Sequence, residues 1–173
     1  MDRLAELTAL PEARAECGAW VRQQDDWLAC QPQTYMNRSG SAVHCLCESH
    51  GLESPAVLVV YDDIHLPLGR LRLRAGGSAA GHRGLASIIE ALQTEAVPRL
   101  RLGIGGPPAG LGPVGESGLS EYVLSAFFPE ETAIVDEMIG RSAQAVIAWL
   151  RFGIDSAMNL ANAPDLPEEA KSE

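Results

Sequence analysis

The sequence predicts an α/β protein in which a mixed β-sheet is sandwiched between helices within a single domain. Three observations carry this. Two short strand-like stretches flank the polar turn Gln23-Gln24-Asp25-Asp26, and a continuous apolar run extends from Ala56 to Tyr61. Two further stretches, Arg70 to Arg74 and Arg99 to Gly105, alternate arginine with leucine and then glycine with isoleucine. Between them lie segments whose apolar residues recur every three or four positions, which is the helical period. A chain of 173 residues is long enough to bury one core.

Taken in order, residues 1–16 read as a helix, because Leu4, Leu7 and Leu10 recur at helical spacing before Pro11 interrupts. Gly18 to Arg22 and Trp27 to Gln31 then form a hairpin. Ser39-Gly40-Ser41 offers a helix start, and Ala42 to His50 makes a short helix closed by Gly51. The run Ala56 to Tyr61 has the composition of a strand buried on both faces. In Arg70 to Arg74 the leucines turn inward and the arginines share the other face. Ala75 to Gly84 is a glycine-rich loop, and Leu85, Ile88, Ile89 and Leu92 mark an amphipathic helix. Arg99 to Gly105 is another strand, and Gly106 to Gly118 a Gly/Pro-rich loop. Pro129 opens the longest helix. Residues 1–162 make one domain, and 163–173 a polar, disordered tail.

Composition excludes several classes. No apolar stretch is long enough to span a bilayer, and the start Met1-Asp2-Arg3-Leu4 has no signal-peptide pattern, so the expected location is the cytoplasm. Cys17, Cys30, Cys45 and Cys47 form no C-x-x-C pair, and a disulfide scaffold is not expected. His44, Cys47 and His50 recur every three residues on one helix, but a single turn rarely supplies a whole zinc site, so no metal is expected. The net charge is −10, yet residues 64–108 hold six arginines against two glutamates. That local balance of +4 leaves −14 elsewhere, the distribution of a small basic patch on an acidic body. Such a patch suits either a phosphate-gripping surface or merely solvated strand faces.

Singly, the polar motifs are weak. Asp62-Asp63 follows a strand, where a helix cap or turn is the ordinary reading. The loop Gly76 to Gly84 lacks the nucleotide P-loop pattern, and Gly103-Ile104-Gly105-Gly106 has no helix behind it. Together and in order they are specific. Thr34-Tyr35-Met36-Asn37-Arg38-Ser39-Gly40, Val60-Tyr61-Asp62-Asp63-Ile64-His65-Leu66-Pro67-Leu68-Gly69, Gly81-His82-Arg83-Gly84-Leu85 and Pro98-Arg99-Leu100-Arg101-Leu102-Gly103-Ile104-Gly105 closely resemble bacterial peptidyl-tRNA hydrolase. Tyr122-Val123-Leu124, Gly153-Ile154 and Ala157-Met158-Asn159 extend the resemblance over about Trp20 to Asn162.

The resemblance implies a monomeric hydrolase, without cofactor, that cleaves the ester between peptide and tRNA and so recycles tRNA from aborted translation. In the family a histidine is the base that activates water, and an aspartate orients it, by resemblance Asp62. Asn37 is then the amide that contacts the peptide backbone, and Tyr35 lines the same crevice. His82 and Arg83 contact substrate, while Arg74 and Arg101 hold tRNA phosphate through their planar forks.

Two departures stand out. Arg83 replaces the asparagine of the family's Gly-His-Asn-Gly loop. The family's opening strand, Gly-Asn-Pro-Gly loop and Arg-His-Asn sequence, which carries the catalytic histidine, do not occur in these residues. Two readings follow: a shortened reading of an active enzyme, or a non-catalytic relative that binds RNA on the same scaffold. The first is preferred, because Asp62 and Asn37 have little use without their histidine.

Overall fold

The computed structural model describes residues 2–24, 26–107 and 116–163. The first helix, α1 (Asp2–Thr8), is followed by strands β1 (Arg14–Glu16), β2 (Ala19–Gln24) and β3 (Trp27–Pro32). Next come α2 (Ser39–His50), β4 (Val59–Asp63), β5 (Leu71–Arg74) and α3 (Arg83–Leu92). The chain ends with β6 (Arg99–Gly103), α4 (Glu116–Leu124) and α5 (Thr132–Ala161). The α/β class holds. The strands divide between two three-stranded sheets, ordered β1-β2-β3 and β4-β6-β5. Two compact units result: Met1–Val59 with Arg74–Arg99, and Val60–Leu73 with Leu100–Glu173. No described helix is long and apolar enough to cross a membrane.

In the first unit β1, β2 and β3 are antiparallel, with Val21 opposite both Arg14 and Cys30. Ala19 and Val21 face Ala42 and Leu46 of α2, while Val43 and Cys47 on another side of α2 pack with Ile88 and Val97. Helix α2 stops at Gly51, whose φ of 63° is the left-handed conformation glycine adopts without cost. At its start Gly40 touches α3: a side-chain carbon there would sit 2.0 Å from the Ser87 carbonyl oxygen. The Gly40 amide donates to Ser87 Oγ at 3.0 Å, so the contact is bonded as well as close.

Two expectations fail in this unit. The opening helix ends at Thr8, where Ala9 takes a φ of 51° and Leu10 N bonds back to Ala5 O at 3.2 Å ahead of Pro11, and Arg14–Glu16 instead pairs with β2. A disulfide links Cys17 to Cys45, with 5.7 Å between Cα atoms. The turn before β2 brings the first sulfur onto α2, a proximity that sequence spacing does not reveal. His44, Cys47 and His50, which recur every three residues, have separate surroundings. His44 pairs with Glu48 at 3.5 Å, His50 with Glu16 at 2.8 Å, and Cys47 is buried in the core.

The second sheet is mixed. Val59 N to Pro98 O and Ile104 N to Asp63 O advance in the same sense along both chains, which is a parallel pairing of β4 with β6. Gly69 N to Gly103 O and Gly103 N to Arg70 O tie the start of β5 to β6 in the opposite sense. Leu71 and Leu73 are fully buried, as the alternation predicts. The run ending in β4 is less covered than a strand buried on both faces: Val60 is 46% exposed. Helix α5 changes direction at Gly153, where φ is 80° and ψ −175°. Just beyond α5, the Asn162 side chain accepts from Leu73 N at 2.8 Å and donates to Leu73 O at 3.0 Å. It bonds β5 as a neighbouring strand would. The Gly/Pro-rich loop read at 106–118 lies partly outside the described residues, and its end belongs to α4; most of the 163–173 tail lies outside them too.

Candidate functional site

The residues singled out from the sequence fall into two groups, one in each unit. In the first, Pro32 ends β3 and the chain turns through Gln33–Tyr35 into a short 3-10 segment, Met36–Arg38, closed by Arg38 N to Tyr35 O at 2.8 Å. Ser39 Oγ donates to Met36 O at 2.9 Å, and Ser41 Oγ to Arg38 O at 2.8 Å. Both hydroxyls reach back three residues to main-chain carbonyls and so tie the turn to the start of α2. Tyr35 is 79% exposed, and Asn37 is exposed beside it. Gln33, Thr34, Tyr35 and Arg38 line an open depression. Thr34 Oγ1 is buried there without a hydrogen-bond partner among the described residues.

The same turn rests on the start of α3. A side-chain carbon at Gly84 would meet Met36 Sδ at 2.4 Å, so the glycine exists to admit the methionine. His82 caps α3 by accepting from Leu85 N through Nδ1 at 3.0 Å. That bond requires an unprotonated Nδ1, so a neutral ring carries its proton on Nε2. Arg83 is exposed one residue later. Tyr35, Asn37, His82 and Arg83 are thus brought into one neighbourhood by two glycine contacts, at 40 and 84. Arg74, exposed at the end of β5, belongs to the same unit.

The second group is built on β4 and β6. After Asp62 and Asp63 the chain turns through His65-Leu66-Pro67 and lies across the end of β6. A side-chain carbon at Gly103 would fall 2.0 Å from Pro67 O, and Gly105 N donates to Leu66 O at 3.0 Å. Tyr122 Oη donates to Ile104 O at 3.2 Å. The Leu-Pro-Leu-Gly and Gly-Ile-Gly motifs are therefore two halves of one interlocked turn, which explains why both occur. Asp62 stands at its entry, half-buried at the C-terminal end of β4.

Asp63 was not singled out, yet it is the most heavily bonded polar group here. Arg101 Nε donates to its Oδ2 at 2.5 Å and His65 N to its Oδ1 at 2.8 Å. Burial pushes its carboxyl up, but the Arg101 and His65 hydrogen bonds and their charges outweigh that and hold it below the usual carboxylate range. Arg101 therefore meets any phosphate with its Nε already held by Asp63. Arg99, which contributed to the basic patch, is only 3% exposed and donates to the carbonyls of Val97 (3.0 Å), Ser78 (2.7 Å) and Glu95 (3.0 Å). The patch is smaller than residue counts suggest.

Comparison with known proteins decides the family. The family model described as peptidyl-tRNA hydrolase matches residues 1–170. The chain belongs to the peptidyl-tRNA hydrolase family. The family's relatives include the peptidyl-tRNA hydrolase of Synechococcus sp. (strain JA-3-3Ab), 48% identical over 170 residues, covering 95% of this chain and 73% of that protein. That of Persephonella marina is 45% identical over 135 residues, covering 78% of this chain and 68% of that one. A crystal structure of peptidyl-tRNA hydrolase from Acinetobacter baumannii is 26% identical, with a TM-score of 0.82 over 94% of this chain and 82% of the other. The mixed α/β architecture is the peptidyl-tRNA hydrolase fold.

Proposed function

We propose that the protein hydrolyses the ester joining peptide to tRNA in peptidyl-tRNA, with Asp62 as the carboxylate that orients the family's histidine base, whose Arg-His-Asn sequence does not occur in these residues. The observation that carries the reading is the interlocked turn at Gly103–Gly105, which sets Asp62 at a strand's C-terminal end, where α/β folds gather ligands. A carboxylate bonded to one imidazole nitrogen fixes the tautomer, leaves the other nitrogen to take a proton from water, and stabilises the imidazolium that forms. Water then adds to the ester carbonyl, and the tRNA 3′ oxygen leaves with a proton.

In this reading the Asn37 amide donates to the peptide main chain, and the exposed Tyr35 ring stacks on the terminal ribose or base. His82 and Arg83 border the substrate, and Arg74 and Arg101 face tRNA phosphate. Arg83 brings a positive charge where the resemblance implies a neutral amide. The protein acts as a single-domain cytoplasmic monomer that binds tRNA without a cofactor. Release of labelled N-acetyl-aminoacyl groups from tRNA tests this. Substituting Asp62→Asn is expected to lower kcat by roughly a hundredfold or more, as loss of an orienting carboxylate does elsewhere. Salt-sensitive tRNA binding with no ester cleavage by the parent protein would sink the proposal and leave an RNA-binding relative.

A further inference from the structure

We infer that the Cys17–Cys45 disulfide is a reversible thiol–disulfide exchange site whose state sets how firmly the turn carrying Tyr35 and Asn37 is held. Cys17 lies in the two-residue turn between β1 and β2, and Cys45 in the middle of α2. The ring that the bond closes spans 28 positions and contains β2, β3, that turn and the first half of α2. Cys17 takes a φ of 51° and Gly18 one of 70°, the left-handed pair of a tight hairpin turn. Asparagine or aspartate is the residue that suits the first of these positions, and a cysteine there gives the backbone nothing. Its sulfur is the reason for its presence.

The hairpin tip reaches the turn directly. Gln33 N donates to Gly18 O at 2.9 Å, and a side-chain carbon at Gly18 would lie 3.9 Å from Thr34 Cγ2. Gln33 and Thr34 lead into Tyr35, and α2 begins at Ser39, just after Asn37 and Arg38. One covalent bond therefore ties the element that holds the turn's entry to the helix that forms its exit. Both cysteines are half-buried, and Ser49 Oγ donates to Cys17 Sγ at 3.8 Å at the surface, within reach of a small thiol. The thiolate of that thiol attacks one sulfur, the S–S bond breaks, and the other sulfur leaves and takes a proton. A second small thiol then displaces the first from the mixed disulfide. Two small thiols lose two electrons and become one small disulfide, and the cysteines gain them as two thiols; a small disulfide reverses the reaction. Burial pushes the Cys30 thiol up to about 11 and raises that of Cys47 too, so neither competes in the exchange. Disulfides found in a reducing cytoplasm are usually transient and redox-sensing, which fits a bond of this kind.

The test equilibrates the protein in buffers of varied reduced and oxidised glutathione, then alkylates it with a maleimide in denaturant and maps the labels by mass. Cys17 and Cys45 should gain label together as the buffer becomes reducing and lose it together when oxidised glutathione returns. A bond that persists in millimolar reduced glutathione, or two cysteines labelled at every ratio, would overturn the inference. Amide hydrogen exchange then reads the turn. The Gln33 and Arg38 amides should exchange roughly tenfold faster or more after reduction, while those of α5 are unchanged. Equal exchange in the two states refutes the coupling. Cys45→Ser should behave as the reduced protein in every buffer. Cys17→Asn, which suits the left-handed turn, should fold and do the same even where Cys45→Ser does not fold. A Cys17→Asn protein whose turn still responds to glutathione sinks the assignment. No readout needs turnover, so a parent protein that cleaves no ester counts against the hydrolase reading alone.

Discussion

Strands β5 and β6 are written almost alike, Leu-Arg-Leu-Arg preceded by Arg70 in one and Arg-Leu-Arg-Leu-Gly in the other, yet their arginines meet different fates. In β5 both leucines are fully buried, while Arg72 is half-buried and Arg74 exposed. In β6 Leu100 is fully buried, but so nearly is Arg99, and Arg101 is half-buried against a carboxylate. The cause is what each face meets: Arg99 is enclosed by the Val97, Ser78 and Glu95 carbonyls, whereas Arg74 ends its strand exposed. Alternation shows which side chains share a face. It does not show whether that face meets water. Where other segments pack over that face, as the Ser78 and Glu95 carbonyls do over Arg99, a charge needs partners already in place.

The comparison breaks first at Arg99. Replacing Arg99 by Ala strips the Val97, Ser78 and Glu95 carbonyls of their donor and leaves a void, at an expected cost of roughly 3–5 kcal/mol in urea unfolding. A loss below about 1 kcal/mol would show that the centre of the sheet is no more demanding than its edge. A smaller effect concerns Asp63. Its folded carboxyl titrates below its unfolded value, so its stabilisation is complete above the unfolded value, roughly 3.9, and is lost as pH falls through the lower folded one. Asp63→Asn should therefore flatten the acid limb of a stability–pH curve, and an unchanged limb would deny the pair its charge. The smallest change in stability belongs to the edge. Arg74→Ala should alter it by no more than about 0.5 kcal/mol, while the logarithmic salt slope of tRNA binding falls by about 1. An unaltered slope would remove Arg74 from the phosphate surface.

Much of this was legible in the residues. The leucines of β5, the apolar side of α3 and the Gly51 stop of α2 follow from local periodicity and from glycine's freedom at positive φ. The order of the motifs pointed to the family before any distance was known. What stayed hidden depends on residues distant in sequence. Cys17 and Cys45 meet because a sheet packs on a helix, and Asp63 finds Arg101 because β4 and β6 adjoin. The strand at Arg14–Glu16 went unseen because three residues carry no period of their own, and only β2 beside them makes them a strand. In the same way, Gly84 and Gly103 read as loop punctuation until Met36 and Pro67 are seen to occupy the space a side chain would need.

The amide of Asn162 has a further consequence. By occupying both main-chain groups of Leu73, it guards the open flank of β5 against a strand from another molecule, the usual route to edge-to-edge self-association. The residue that follows the last turn of α5 thus acts as a solubility device: its loss would be felt first as concentration-dependent clumping, before any change in how tRNA is handled.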